Sequence, residues 1–449
     1  MLILIIILPF IGALLSKLIK RFSLHIATSI TFIIFILLLF LPDIFKTNFE
    51  ILGITFLWDD LSFIFATTST FIGLLIFLYS FGYFNDEKKR VFFSFWAQIF
   101  LGSMLGVVFS DNLISIYFFW EIAGLCSYRL IGTYREKEHL IKSEKAFLIT
   151  VTGAGIMFLA FAYLYSITGT FSLSEMKGLS ISPIIFSSIF LGVITKSATF
   201  PLHTWLPDAS VAPTPVTAFL HAAVLVKIGI YGLLRLFWKT FYIEGNIIWA
   251  IYLAIFSSLI AGFVALVEKD FKKILAYSTV SQLGFLISGI LLLNDKAIKG
   301  VLIFYVAHAL GKGGLFLTAG IMEKILGTKD ISKMNGIIKK LPILTFGYFF
   351  SMLSVIGIPP FLGFFGKINI IISALEKEYL LISFLLIISS ILTLLYLWRT
   401  FKFLFIVENV NFEFKYKRIE VMNFSVFLIG FFSFLLGIIY LIIHKGGFL

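Results

Sequence analysis

Apolar runs of about 20 residues recur along this chain, and they constrain its fold more than any other feature. One helix needs about 20 apolar residues to cross a hydrocarbon core of roughly 30 Å. The runs are too long and too uniformly apolar to be the alternating strands of a membrane barrel. A mean hydropathy of +1.04 with only 13% charged residues excludes a soluble globular domain. We therefore expect an all-α integral membrane protein.

The apolar runs divide the chain into about fourteen predicted transmembrane spans. They start near Leu2, His25, Leu61, Val91, Asn112, Glu144, Pro183, Ala212, Asn246, Phe271, Ala297, Leu341, Tyr379 and Val421. No linker or soluble domain interrupts them, which predicts a single polytopic membrane domain over residues 1–449. The first run lacks a basic start and a small-residue cleavage site, so we expect a retained helix rather than a signal peptide.

Basic residues are distributed unevenly between the loops. Loops after odd-numbered spans, such as those near Lys88, Lys137 and Lys269, carry most of the Lys and Arg. Loops after even-numbered spans carry only Lys46, Lys177, Arg235, Lys239, Lys296, Lys299 and Lys377. The positive-inside rule then predicts a cell-membrane protein with both termini outside. The net charge of +12 follows from this topology and gives no indication of nucleic-acid binding.

A few ionisable residues lie within the predicted spans, where the lipid bilayer makes them costly. They are Glu121, Lys196, Lys227, Lys312 and Lys367. Each costs about 2.5–3.5 kcal/mol at the bilayer centre unless water or a counter-charge is present. Glu121 and Lys196 fall near mid-depth of their spans, whereas a residue near a span end can extend its charge to the interface. We interpret the set as a proton pathway.

Two histidines accompany these charges. His308 and Lys312 are four residues apart and share a helix face, whereas His221 and Lys227 are six apart and do not. A proton-relay role is one interpretation of both histidines. The other is an ordinary hydrogen bond to a neighbouring carbonyl.

The segment "KSATFPLHTWLP" predicts a break in the seventh span. Pro201 and Pro207 each lack an amide donor and clash with a preceding carbonyl, and Lys196 comes just before them. A break at membrane depth is tolerated only where the freed backbone faces protein or water. A charge beside such a break is typical of transporter ion sites.

A second break is predicted in "SVIGIPPFLGFFGK" of the twelfth span. Pro359 and Pro360 interrupt it, and Lys367 follows directly. Two interrupted helices with a lysine beside each break favour a duplicated architecture.

Several classes of chemistry have no sequence signature here. The chain has one cysteine, Cys126, and neither a phosphate-binding loop nor a dinucleotide fingerprint. Its histidines are too scattered to indicate haem ligation. We expect no cofactor and no metal, and energy must come from an ion gradient or a partner subunit.

Long motifs resemble the antiporter-like membrane subunits of respiratory complex I, Mrp-type antiporters and membrane-bound hydrogenases. They are "KSATFPLHTWLPDASVAPTPVTAFLHAAVLVKIGIYGLLR", "FFWEIAGLCSYRLIG", "DFKKILAYSTVSQLGF", "HALGKGGLFLTAG" and "GIPPFLGFFGK". The resemblance implies fourteen helices with two inverted five-helix repeats and broken helices 7 and 12. The repeats would cover about 91–240 and 246–405, flanked by helices in 1–83 and 421–443.

The resemblance also implies roles for individual residues. Glu121 matches the glutamate of helix 5, and Lys196 matches its partner lysine on helix 7. The remaining matches are Lys227 and His221 on helix 8, His308 and Lys312 on helix 11, and Lys367 on broken helix 12. In the family this series conducts protons.

The function that the resemblance implies has two versions. The leading one is a proton-translocating subunit driven by redox chemistry in partner subunits, of the NADH-quinone oxidoreductase or hydrogenase type. The alternative is a gradient-coupled transporter without redox partners, either an Mrp-type subunit that exchanges sodium for protons or a subunit for inorganic-carbon uptake. Both versions place the chain among other membrane subunits.

Overall fold

A computed structural model describes residues 2–40, 49–51, 54–334, 340–406 and 419–443. Its helices are α1 (Leu2–Leu18), α2 (Ser23–Phe40), α3 (Asp60–Tyr83), α4 (Glu87–Phe109), α5 (Leu113–Ile131), α6 (Lys137–Thr168), α7 (Pro183–Lys196), α8 (Trp205–Asp208), α9 (Thr214–Ala218), α10 (Leu225–Leu233), α11 (Ile248–Val267), α12 (Phe271–Leu291), α13 (Asp295–Leu326), α14 (Pro342–Ile356), α15 (Leu362–Glu376), α16 (Leu380–Phe401) and α17 (Ile419–Ile443). Short π-helical segments follow three of them, at Phe219–Ala223, Leu234–Thr240 and Lys402–Ile406. Lys46, assigned above to a loop, lies outside the described residues.

The all-α membrane architecture is confirmed. Within the described ranges, 11 helices are long and apolar enough to cross a membrane, and three shorter apolar helices accompany them. Asp86 and Asn112 cap α4 and α5 by accepting hydrogen bonds from the amides of Lys88 (2.8 Å) and Ile114 (2.9 Å). These caps fix where the spans begin.

One predicted boundary was wrong. The sixth span was expected to start near Glu144, but α6 starts at Lys137. Its first turns are polar, and Glu138 and Lys142 form an ion pair at the i, i+4 spacing that supports a helix. Apolar length alone therefore placed the start too late.

The described residues form two compact units. The first comprises residues 1–77, 84–205 and 223–247, and the second comprises 78–83, 206–222 and 248–449. In the first unit α4 packs against α1 and α5, α6 packs against α7, and α10 packs against α7. A two-stranded antiparallel sheet joins β1 (Phe49–Ile51) to β2 (Ile54–Phe56), and β3 (Ser180–Ile181) pairs in parallel with β4 (Tyr242–Ile243).

The second unit is built around α13, which packs against α12, α14, α15 and α17. Most of the residues of α12 and α13 are buried, and helix α9 also packs on α13.

Both interrupted spans are present. Helix α7 ends at Lys196, and the short α8 follows after a turn that contains Pro201. Pro207 lies in the first turn of α8, where a missing amide is tolerated. In the second unit α14 ends at Ile356, and Pro359 and Pro360 lie in the gap before α15. Gly357 ends α14 with a φ of 85°, a left-handed conformation that favours glycine.

Candidate functional site

In the first unit, the Lys196 side chain extends from the end of α7 toward α5. Lys196 is fully buried, and its Nζ lies 5.6 Å from the ring centroid of Trp120. A Cβ placed on Gly124 would be 3.1 Å from the same Nζ. Trp120 and Gly124 are separated by one helical turn, so the amine faces the turn of α5 that carries Glu121.

Glu121 and Lys196 do not form an ion pair. In the described part of the chain, neither Lys196 Nζ nor Glu121 Oε1 has a hydrogen-bond partner, although both atoms are buried. The two charges are nevertheless close enough to interact electrostatically. Glu121 as a whole is only partly buried. The distance between these two residues, which the sequence leaves open, is thus that of a separated pair of opposite charges.

The break after α7 leaves further polar atoms buried beside Lys196. The Ser197 and Thr199 hydroxyl oxygens are buried, and within the described residues no hydrogen bond to either is found. The indole Nε1–H of Trp205 donates to the Thr195 carbonyl at 3.0 Å. That bond satisfies one carbonyl freed by the break and ties α8 back to α7.

Lys227 lies on α10, the helix that packs against α7 at this point. Lys227 is fully buried. A Cβ on Gly229 would lie 2.0 Å from Ser197 Oγ, so only glycine allows α10 to approach the break this closely. The absence of a side chain at 229 therefore brings the Lys227 helix against the residue that follows Lys196.

In the second unit, His221 lies in the π-helical segment Phe219–Ala223 and faces α13. Its ring stacks on Phe316 with centroids 4.3 Å apart. Neither His221 nitrogen has a hydrogen-bond partner in the described ranges, and the ring is close enough to Lys312 to interact electrostatically. Lys312 Nζ donates to the Leu275 carbonyl at 3.2 Å and to Ser278 Oγ. π-Helical turns are frequent at functional sites.

His308 and Lys367 both contact Phe304 in the same unit. The His308 ring makes an edge contact with Phe304 at 6.2 Å, and Lys367 Nζ lies 5.0 Å from the Phe304 centroid. Lys367 Nζ also donates to the Ile356 carbonyl at 3.1 Å. Ile356 is the last residue of α14, where the helix dipole favours a cation. The break therefore supplies the partner of Lys367.

Arg235 was expected in a loop, and this was wrong. Arg235 lies in the helical segment Leu234–Thr240, is 4% exposed, and binds Asp59 through two hydrogen bonds of 2.7 and 2.8 Å. Its Nε also donates to Tyr231 Oη at 2.8 Å. A fork of this kind is the strongest geometry for a guanidinium and a carboxylate.

Asp59 and Asp111 line one recess with Arg235. Their environments shift the pKa values of the two carboxyl groups in opposite directions. Burial raises the pKa of Asp59, but the hydrogen bonds and charge of Arg235 outweigh it and hold the pKa below the usual range. Burial dominates at Asp111 and raises its pKa, although the Ser174 hydroxyl donates to it at 2.6 Å. The recess encloses about 280 Å³.

A second buried cation lies at the start of α12. Lys272 lies in the first turn of α12, is 3% exposed, and pairs with Glu323 at 2.6 Å. It also donates to the Ala212 carbonyl at 3.3 Å. A basic residue next to the predicted start of a span gave no signal that it would be buried.

No group of three or more His, Cys, Asp and Glu side chains that could hold a metal ion occurs in the described ranges. The ionisable residues of the spans fall into two sets, which we call rows: Glu121, Lys196 and Lys227 in the first unit, and His221, His308, Lys312 and Lys367 in the second. The chemistry available to both rows is proton exchange by amines, imidazoles and one carboxylate.

Two family models match the sequence. The model described as NADH:quinone oxidoreductase/Mrp antiporter, TM, matches residues 110–393. The model described as NADH-Ubiquinone oxidoreductase (complex I), chain 5 N-terminus, matches residues 48–93. The first match contains every residue of both buried rows.

Individual relatives fall into two groups of complexes. A Na(+)/H(+) antiporter subunit of Alkalihalophilus pseudofirmus is 40% identical over 344 residues, which cover 70% of this chain and 42% of that protein. An NADH-quinone oxidoreductase subunit of Buchnera aphidicola subsp. Schizaphis graminum is 34% identical over 379 residues, covering 82% of this chain and 61% of that protein. The chain thus spans about half the length of these relatives.

Solved structures share the fold. A chain in the Mrp complex from Dietzia sp. DQ12-45-1b superimposes with a TM-score of 0.90 at 19% identity, covering 98% of this chain and 95% of that chain. A chain of the membrane-bound sulfane sulfur reductase, an archaeal respiratory membrane complex, gives 0.86 at 19% identity and covers 99% and 95%.

Proposed function

This chain belongs to the NADH:quinone oxidoreductase/Mrp antiporter family of membrane subunits, and from that premise we propose that it translocates protons within a multi-subunit complex. The observation that carries the proposal is the buried Lys196 amine, which has no hydrogen-bond partner in the described structure and faces the α5 turn of Glu121. A buried amine keeps its proton only where water or a counter-charge offsets lost hydration.

The separation between Glu121 and Lys196 suits a switch. A direct, fully satisfied ion pair would hold the proton on the Lys196 amine. A separated pair holds it less firmly, so a change in the charge of Glu121 can alter the protonation of Lys196. Neutralising Glu121 would remove the attraction that favours ammonium at Lys196. The amine would then release its proton to water beside the Ser197 and Thr199 hydroxyls, since buried polar atoms of this kind bind water.

The second row of buried residues continues the same chemistry. Lys312 and His221 exchange a proton between an amine and an imidazole, with Ser278 Oγ able to donate or accept in either state. His308 and Lys367 extend the row along α13 and α15. His221 and Lys227 are six residues apart in the sequence.

The reconstituted complex tests this proposal. Lys196→Ala and Glu121→Gln should each lower the initial rate of proton uptake into vesicles at least about tenfold, a loss of roughly 1.4 kcal/mol. Exposed Lys269→Ala and Glu175→Gln are the matched controls and should leave the rate unchanged. Wild-type uptake by both test variants, in complexes that assemble normally, would refute the proposed pathway.

The source of energy separates two versions of the function. We propose redox chemistry in partner subunits as the drive, in line with the relatives from NADH-quinone oxidoreductases. Exchange of sodium for protons is the second candidate, favoured by 40% identity to a subunit of a Na(+)/H(+) antiporter. Mass spectrometry of the purified assembly should find iron–sulfur or nickel subunits in the first case. Sodium-dependent proton uptake without such subunits would establish the second.

Topology and repeats are part of the proposal. We propose that both termini lie outside, and that residues 91–240 and 246–405 form two inverted repeats, each containing one interrupted span. Cys126, the single cysteine, is buried. A cysteine introduced at exposed Lys137 should therefore report its side of the membrane through an impermeant thiol reagent, with labelling only from the cytoplasmic side expected.

A further inference from the structure

Three helix ends of the first unit meet around a basic recess. Lys17 lies in the last turn of α1, Lys88 in the first turn of α4, and Arg129 in the last turn of α5, and all three line a recess of about 380 Å³. Lys20 and Arg135 complete its cationic lining, with Glu87 as the acidic residue. The recess thus lies where three apolar spans end.

The cations around the recess have no carboxylate partner within the described ranges. Among the described residues none of the five takes part in an ion pair, and Lys17, Lys20 and Arg135 are exposed. This differs from Arg235 and Lys272, each of which has a carboxylate within 3 Å. Five cations against one carboxylate produce a field that attracts an anion.

Aromatic side chains also line the recess. The Arg129 guanidinium lies 5.5 Å from the Trp96 ring and 6.0 Å from the Phe92 ring, and Lys17 Nζ lies 5.4 Å from the Phe95 ring. These rings hold the cationic groups in place at the mouth of the recess. Aromatic side chains at the end of a span are also typical of the lipid interface.

Below the recess the same helices expose apolar side chains. Leu14 of α1 is 59% exposed and lies about one turn before Lys17, on the same face. Leu125 of α5 is 44% exposed and is one turn before Arg129, on the same face. A ligand that fits must carry an anionic head above and an apolar body below.

We propose that this recess binds the headgroup of an anionic phospholipid, whose acyl chains lie along the exposed leucines of α1 and α5. The phosphate accepts hydrogen bonds from Arg129, and the lysines hold the remaining negative charge. A basic pocket between transmembrane helices is a recognised form of lipid site. The proposal is independent of proton translocation, because the recess contains none of the buried residues of the pathway.

Lipid binding to the purified native assembly tests the proposal. Native mass spectrometry would compare phosphatidylglycerol with phosphatidylcholine across wild type, Arg129→Gln and Lys17→Gln. We expect selective phosphatidylglycerol binding, weakened about fivefold by each substitution, the equivalent of about 1 kcal/mol per basic residue. Lys269→Gln, an exposed lysine outside the recess, is the control and should bind as wild type.

Several outcomes would overturn the proposal. Equal binding of the two lipids, or unchanged phosphatidylglycerol binding by both recess variants, would do so. Displacement by inorganic phosphate alone would show an anion site without lipid recognition. Loss of a companion subunit from the variants, with lipid binding intact, would assign the recess to a protein partner. Lys20→Gln, at an exposed side chain, keeps the test valid if Arg129→Gln fails to assemble.

Discussion

Replacing Gly124 by alanine would show whether the Lys196 amine needs the space beside α5. The new Cβ would lie 3.1 Å from Nζ, against 3.4 Å for the start of ordinary contact, so the amine must retreat by about 0.3 Å. Overpacking costs about 1–3 kcal/mol, and the flexible end of a lysine side chain puts this site at the low end. A cost of about 1 kcal/mol against the conducting position slows proton uptake about fivefold.

The same substitution should not destabilise the fold. Alanine is favoured over glycine within a helix by about 0.5–1 kcal/mol, which offsets an overpacking cost of about 1 kcal/mol, so the melting temperature of Gly124→Ala should be close to that of wild type. Gly155→Ala on α6 is the matched control, because no atom lies within 4 Å of its new Cβ. It should gain the full helix preference of about 0.5–1 kcal/mol and keep wild-type uptake.

A larger substitution makes the result decisive. Gly124→Val should slow proton uptake in vesicles beyond the alanine variant, since its methyl groups extend further toward Nζ. If both variants fold, assemble and take up protons at the wild-type rate, the position of Lys196 against α5 has no role in conduction, and the reasoning fails.

Two further predictions concern polar contacts that support the spans. Asp59→Asn removes the carboxylate partner of buried Arg235 and should cost about 3 kcal/mol, seen as a lower melting temperature than in the exposed Asp60→Asn control. Because the folded-state pKa of Asp59 is lowered, the ion pair stabilises wild type fully above the ordinary carboxyl pKa of about 3.9. This stabilisation is lost as the pH falls through the lowered pKa. The unfolding free energy of Asp59→Asn should not show this decrease at acid pH. Trp205→Phe removes the donor to the Thr195 carbonyl and should cost about 1 kcal/mol in thermal unfolding; an unchanged melting temperature would contradict a role in closing the break.

The positions of the helix breaks could be predicted from the sequence because their causes are local. Pro201, Pro359 and Pro360 each remove an amide donor and exclude a continuous helix. The burial of Lys312 and Lys367 also followed from their positions within long apolar runs. Both conclusions need only the residue type and its neighbours along the chain.

Contacts between distant residues could not be predicted in this way. Asp59 and Arg235 are 176 positions apart in the sequence. A basic residue near the end of a predicted span is therefore assigned to a loop unless its buried carboxylate partner is known. The absence of an ion pair between Glu121 and Lys196 depends on where the Lys196 side chain lies against Gly124 of α5, which no periodicity encodes. Similarly, the Ile356 carbonyl is free to accept the hydrogen bond from Lys367 only because α14 ends at Ile356.

The central claim is that buried amines carry protons through this membrane protein, and Lys312 tests it most directly. Methionine at this position preserves length and burial but can neither bind nor release a proton. Initial proton uptake into vesicles containing the native assembly should fall at least about tenfold in Lys312→Met and remain unchanged in Lys269→Met. Equal uptake by the two assembled variants would contradict the claim.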